Sequence, residues 1–354
     1  MLYRYNYIKK HPLHRLHKHL LFFFRRIRTI SSNASFKING DYFHSDFSDI
    51  LRISPNLKEK FKTFFNSYKQ LTDIQKNEFY NLVVKCQSVK YFFGNKSINC
   101  LDIKKDSIQQ LMGNNSLYEL MKYLYETTIK ADRWEMKDHY QKMYNGMPQN
   151  KVCPFCGVES MHQTFKEDYD HLLTKSIYPL LAINLQNLVP MCSVCNEKAK
   201  KEIDILYKNN GERRSFAYPY ATEITISLDF TGSIIPQTDM NNEKGIWKLT
   251  INPQNENNMT WFEVFNIEER YTKDYLLFDL WTDIFIDDLI NSNKNPINEN
   301  SLKTELLKVA QSYERRKFNN RNIIKAPLFS FLANCNNKIF YKGLIRAYNK
   351  RINT

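Results

Sequence analysis

The sequence predicts an α+β protein that is predominantly helical and is built around a small central core held together by zinc. Long stretches on both sides of the core carry apolar residues at helical spacing, and two short segments after residue 221 are rich in β-branched residues. Between the two helical stretches lie two C-x-x-C knuckles, Cys153/Cys156 and Cys192/Cys195. We therefore predict three parts. These are a basic arm with a helical domain (1–145), the zinc-containing core (146–209) and a C-terminal, mostly helical α+β domain (210–354).

The N-terminal segment is basic. Residues 1–30 hold eight lysines and arginines and no acidic residue. Such a segment is typical of a nucleic-acid-binding arm, but an ordinary basic helix end, a solvated tail or an upstream extension that is not used in the cell has the same composition. The sequence leaves these alternatives open.

The flanking elements follow from periodicity. Leu57, Phe61, Phe64 and Tyr68 form one helical stripe that begins a predominantly helical region. Further helices are predicted near 74–86, 104–112, 116–130, 132–143, 261–291, 301–318 and 326–350. The segments 222–230 and 246–252 predict a short antiparallel strand pair.

Composition narrows the function classes. The 354 residues carry a formal charge of +14, which favours a polyanionic partner such as nucleic acid. We find neither an apolar run long enough to span a bilayer nor a glycine-rich phosphate loop, so we expect no membrane association and no NTPase activity. Seven cysteines, an odd number with metal-type spacing, favour a reducing, cytoplasmic setting over a disulfide framework.

The four knuckle cysteines predict a zinc site. Each C-x-x-C turn places two thiolates on one side of a metal, and zinc prefers four such ligands in a tetrahedron. A closed site of this kind has no open position for chemistry, so we expect the zinc to be structural.

Polar residues between and after the knuckles suggest a second site. Asp168, Asp170 and His171 lie in EDYDHLL, Asn187 begins NLVP, and Asn196 follows the last knuckle cysteine. Taken singly, each has an ordinary structural explanation: a hydrogen-bonded histidine, a turn asparagine or a helix N-cap. His139 and His162 lie outside this pattern.

The combined pattern, D-Y-D-H followed by N-L-V-P-x-C-x-x-C-N-x-x-x-K, resembles the HNH family of ββα-metal (His-Me finger) endonucleases, in the subgroup with a tetracysteine zinc. The resemblance implies that His171 is the general base and that Asp170 and Asn196 hold a catalytic Mg²⁺ or Mn²⁺. It implies that Asn187 braces the loop, and it makes Asp168 a possible further ligand. The candidate phosphate contacts are Lys175, Lys198, Lys200 and Lys201.

The expected function is metal-dependent endonuclease activity, with DNA favoured over RNA as the target. Similar HNH proteins with helical flanks occur in bacterial anti-phage defence, where an ATPase partner controls the nuclease, so a regulatory subunit is also expected by analogy. The alternatives are an RNA-directed nuclease and a catalytically inert, zinc-stabilised subunit that binds nucleic acid. The sequence does not identify the activation trigger, the cleavage specificity or the oligomeric state.

Overall fold

The computed structural model describes residues 1–148, 151–162, 169–235, 246–273, 275–295 and 298–353. The chain divides into two compact units. The N-terminal unit contains Tyr3–Lys151 and Met161–Glu223, and the C-terminal unit contains Val152–Ser160 and Ile224–Thr354. The predicted division at residues 145 and 209 stays a prediction.

Helices form most of the N-terminal unit. They are α1 His14–Ile27, α2 Ser45–Ile53, α3 Pro55–Tyr68, α4 Asp73–Lys85, α5 Val89–Gly94, α6 Lys105–Met112, α7 Ser116–Tyr123 and α8 Met136–Asn145. A short π-helical turn, Leu124–Thr128, continues α7, and a 3-10 turn, Asp132–Trp134, precedes α8. The predicted helical stripe from Leu57 to Tyr68 and the helices predicted near 74–86, 104–112, 116–130 and 132–143 are therefore confirmed, with shifted ends.

Aromatic side chains build the core of these helices. Phe23 of α1 stacks on Phe43 with ring centroids 5.0 Å apart and meets Phe61 of α3 edge to face at 5.0 Å. At the start of α4, the Thr72 side chain accepts a hydrogen bond from the Gln75 amide and completes a capping box. Local capping and the shared aromatic core thus favour the same helix positions.

The first residues are packed against the rest of the unit. Leu16, Leu20 and Phe23 of α1 are buried, and the Tyr5 hydroxyl donates to the Pro190 carbonyl at 2.7 Å. The segment therefore does not have the structure of a solvated tail. Its basic residues remain outside the core, because apolar side chains recur at helical spacing on one face of α1 while the charged ones occupy the other.

A small hairpin and a helix follow α8. Strand β1, Tyr169–His171, pairs antiparallel with β2, Leu188–Pro190, so that Asp170 is opposite Val189. A 3-10 turn, Pro179–Leu181, lies between the strands. After β2 comes the π-helix Val194–Lys200, here called the site helix.

The C-terminal unit combines a strand pair with helices. Strand β3, Ser227–Asp229, pairs antiparallel with β4, Thr250–Asn252, which confirms the predicted pair over shorter lengths. The helices are α9 Glu256–Val264, α10 Ile267–Thr272, α11 Tyr275–Asn291, α12 Glu299–Arg315, α13 Asn322–Asn334 and α14 Lys338–Ile352. The predicted helical stretches 261–291 and 326–350 are interrupted, because Asn266 adopts a left-handed conformation and Cys335 is extended.

The prediction of a predominantly helical α+β chain is confirmed, since helices dominate and the strands form two small antiparallel sheets. None of the helices in the described ranges is both long enough and apolar enough to cross a membrane.

Candidate functional site

The β1–β2 hairpin holds one acidic group, Asp170, and one basic group, His171, at the centre of the candidate site. Asp170 and His171 are neighbours on β1, and every residue of β1 and β2 is buried. The His171 amide donates to the Asp170 carboxylate at 2.8 Å. Pairing with β2 thus fixes both side chains in a position that solvent hardly reaches.

His171 is held as a neutral imidazole. Its Nε2 lies 2.8 Å from the Ala182 carbonyl, and a carbonyl oxygen can only accept, so Nε2 carries the proton. Nδ1 therefore has the free lone pair. Burial lowers the pKa of His171 to about 3. The Tyr125 ring lies 4.2 Å from the imidazole, centroid to centroid. A neutral, oriented imidazole with a free Nδ1 lone pair can accept a proton as a general base, although a pKa this low makes it a weak one.

Asn187 fastens the loop that joins β1 to β2. It is fully buried, and its Oδ1 accepts from the Leu173 amide at 2.8 Å. Its Nδ2 donates to the carbonyls of Leu173 at 2.9 Å and Leu181 at 3.3 Å. Leu181 directly precedes Ala182, whose carbonyl holds His171. The asparagine therefore fixes the loop segment that orients the imidazole, and its side chain is fully engaged there.

Asp170 pairs with a buried lysine. Lys200 Nζ lies 2.9 Å from Asp170 Oδ2, and the lysine side chain is completely inaccessible to solvent. Burial raises the pKa of Asp170 above its usual value, although the Lys200 ammonium and the His171 amide act in the opposite direction. The ion pair ties β1 to the last turn of the site helix.

The site helix also carries Asn196. The Lys201 amide donates to the Asn196 carbonyl at 2.9 Å, a five-residue step that gives the helix its π geometry. Asn196 is half-buried and lies one turn before Lys200. Since residues about one turn apart share a helix face, Asn196 lies on the same side of the site helix as Lys200.

The remaining lysines differ in their surroundings. Lys175 lies 3.5 Å from Glu126 and over the Tyr125 ring, next to His171. Lys198 and Lys201 are exposed, whereas Lys200 is buried against Asp170 and faces no solvent. Asp168 lies outside the described residues.

The donors near Asp170 fit a hard cation only in part. Asp170 supplies a carboxylate and Asn196 an amide oxygen, which are ligands that Mg²⁺ accepts. Within the described ranges, however, Asp170 belongs to no cluster of three or more histidine, cysteine and carboxylate ligands. Lys200 already neutralises one of its oxygens. A cation here would need further oxygen ligands, as Mg²⁺ commonly obtains from water and from substrate phosphates.

A buried histidine, His139, contacts β1. His139 Nδ1 forms a hydrogen bond with the Tyr169 hydroxyl, and the Tyr125 hydroxyl donates to the Tyr169 carbonyl at 2.6 Å. Burial, together with smaller contributions from His11 and His14, lowers the pKa of His139 to about 3. The sequence pattern gives no role to His139, because its partner is 30 residues away and only the fold brings the two together.

The four knuckle cysteines lie close together, as predicted. Their sulfur atoms are all buried and lie within 4.8 Å of one another, so they can bind a metal such as zinc. Backbone amides point at two of them: Glu159 N is 3.5 Å from Cys156 Sγ, and Cys195 N is 3.4 Å from Cys192 Sγ. Such N–H···S contacts stabilise thiolate ligands.

The first knuckle depends on a glycine. Gly157 has φ +66°, and a Cβ at this position would lie 2.7 Å from Leu2 Cδ1. The Trp261 indole donates to the Phe155 carbonyl at 2.7 Å, and the Tyr271 hydroxyl donates to the Cys156 carbonyl. The turn is therefore held by its own backbone conformation and by two large side chains.

Comparisons with protein-family models, curated proteins and solved structures gave no match to this chain.

We expect the purified protein to contain zinc and Cys192→Ser to lose it, because three thiolates and a hydroxyl form a much weaker zinc site. Elemental analysis after dialysis, combined with thiol titration, measures this directly. Cys335→Ser is the matched control, since Cys335 lies outside the cluster. Equal zinc in wild type and Cys192→Ser would contradict the tetrathiolate assignment.

We expect His139 to make stability dependent on pH. Its pKa is lowered from 6.5 to about 3, so the unfolded chain binds this proton more tightly. The stabilisation is present above pH 6.5 and is lost as the pH falls towards 3. Relative to His139→Asn, wild type should lose about 2 kcal/mol of unfolding free energy between about pH 7 and pH 5. Urea unfolding with excess zinc measures the difference, and a gap between the two proteins that does not change with pH would refute it.

Proposed function

We propose that this chain is a metal-dependent endonuclease that hydrolyses phosphodiester bonds, in the manner of the HNH family that its central motif resembles. The observation that carries the proposal is the state of His171. It is neutral, its Nε2 proton is held by the Ala182 carbonyl, and it lies beside the Asp170 carboxylate on one strand of a hairpin. The helix with Asn196 follows this hairpin, as in the motif.

In the proposed reaction, His171 Nδ1 takes a proton from a water molecule whose oxygen bonds to the phosphorus. The P–O bond to the leaving oxygen breaks, and that oxygen takes a proton from solvent water. Asn187 acts as a positioning residue, since it fixes the loop whose Ala182 carbonyl orients the ring. Asp170 and Asn196 would hold a divalent cation, with Asp168 as a possible further ligand. When bound, Mg²⁺ or Mn²⁺ would supply the Lewis acid that polarises the scissile phosphate.

The solvent exposure of each lysine side chain determines whether it can contact a phosphate. Lys198 and Lys201 are exposed and can approach a phosphate, and Lys175 is partly exposed next to His171. Lys200 would act on the phosphate only if it left Asp170. DNA is the proposed target, as the resemblance implies, and RNA is the alternative because the site addresses phosphate rather than sugar. A cytoplasmic setting, inferred from the number and spacing of the cysteines, remains part of the proposal. A regulatory partner such as an ATPase is proposed by analogy.

A second candidate is an inert, zinc-stabilised subunit that binds nucleic acid. The Asp170–Lys200 pair favours it, because an ammonium group occupies the carboxylate that would otherwise face a cation. In that case the hairpin and helix would be a scaffold, and His171 a satisfied core histidine.

A cleavage assay separates the two functions. Wild type is expected to cut plasmid, linear duplex or single-stranded nucleic acid when Mg²⁺ or Mn²⁺ is present, and to stop when EDTA is added. Removing the general base in His171→Ala should lower the cleavage rate about 100- to 10,000-fold. His162→Ala is the matched control, since His162 is exposed and outside the motif.

If His171→Ala cleaved as fast as wild type, His171 would not be the base. If folded, zinc-loaded wild type cleaved no substrate with either metal, both alone and together with the proteins that co-purify with it, the inert subunit would become the better explanation.

A further inference from the structure

Helix α1 presents a stripe of cations. Arg15, Lys18 and Arg25 are exposed and recur at spacings of three and seven residues, so they share one helix face with Phe22. Arg26, also exposed, lies beside them. The opposite face of α1 is buried. The stripe therefore has a fixed geometry, unlike the charges of a flexible tail.

These cations lack acidic partners among the residues that the structure describes. Arg25 and Arg26 lie over the Phe22 ring, with guanidinium carbons 5.5 and 5.0 Å from its centroid. Neither Arg15 nor Lys18 forms an ion pair within the described ranges. This face of α1 therefore carries positive charge that no carboxylate of the described residues neutralises.

A cleft of about 300 Å³ opens beside the stripe. Its described lining combines two cations, three aromatic or imidazole rings and an aliphatic floor, with no acidic side chain. The residues are Lys18, Leu21, Phe22, Arg25, His44, Tyr80, Val83, Val84 and Gln87. The exposed side chain of Val84 leaves apolar surface open to solvent there.

This combination fits one ligand chemistry. Rings and aliphatic carbons accept the face of a nucleobase, and the neighbouring cations accept the phosphates attached to it. A base in a duplex is stacked and paired, so it cannot enter a cleft of this size, whereas an unpaired base can. An acidic peptide would satisfy the cations but would leave the ring-lined walls without a partner.

We propose that the α1 stripe and its cleft bind single-stranded nucleic acid, with one base in the cleft and the backbone along the cations. The inference rests on the proposed nuclease function, because it names the form of nucleic acid that the N-terminal unit engages. It assigns substrate binding to residues far from the motif in sequence.

The test is a binding titration on a His171→Ala background without added Mg²⁺ or Mn²⁺, so that cleavage plays no part. A short dye-labelled single strand is titrated by fluorescence anisotropy at several salt concentrations. Replacing both cations in Lys18→Gln/Arg25→Gln should reduce the slope of log K against log salt by about 1.4, two phosphate contacts at about 0.7 each. Phe22→Leu should weaken binding on the order of tenfold at constant charge.

A control variant, Lys58→Gln/Lys137→Gln, removes the same charge from exposed lysines elsewhere in the N-terminal unit and should leave the slope nearly unchanged. Equal effects in the two double variants, tighter binding of a matched duplex, or equal competition by polyglutamate would each overturn the proposal. Because no cleavage is measured, a failure of the nuclease proposal would appear in the cleavage assay and not here.

Discussion

The buried ion pair between Asp170 and Lys200 is the interaction on which the geometry of the candidate site depends. It joins β1 to the end of the site helix, so the position of one element determines that of the other. Removing one partner of such a pair leaves an uncompensated buried charge, which commonly destabilises a protein by about 3–5 kcal/mol. The pair also determines what Asp170 can bind, since a carboxylate that holds an ammonium must share or release it before it holds a metal.

Around this pair, the backbone orients the reactive group. The Ala182 carbonyl selects the tautomer of His171, and Asn187 fixes the adjacent carbonyl of Leu181. Because the loop between β1 and β2 is tied at both ends by one asparagine, the imidazole can stay oriented without a carboxylate partner. Burial keeps it neutral, so its lone pair is available near neutral pH.

Sequence reasoning could reach the parts of the structure that depend on local pattern. The two cysteine pairs were predictable because C-x-x-C spacing by itself brings the two sulfur atoms of each pair together, and the α3 stripe was predictable because apolar residues recur at helical spacing. The Lys200–Asp170 pair was not predictable from the sequence, because a lysine in a charged run is normally expected to be exposed. Here the π geometry of the site helix and the hairpin bury it. The roles of His139 and of the Ala182 carbonyl depend on long-range packing, and a backbone carbonyl has no sequence signature. Packing of residues 1–30 was likewise hidden by their charge, which lies on the outer face of α1.

The most direct test of the account is whether Asp170 holds a divalent cation. Mn²⁺ binding can be counted by electron paramagnetic resonance on the His171→Ala background, with a nucleic-acid strand present to supply phosphate oxygens. Asp204→Asn is a matched control, since Asp204 is also a poorly exposed carboxylate that pairs with a lysine, Lys104, at 2.8 Å. The account expects tight Mn²⁺ binding that Asp170→Asn abolishes and Asp204→Asn preserves. Equal Mn²⁺ binding with and without the Asp170 carboxylate, or none in any variant, would contradict it.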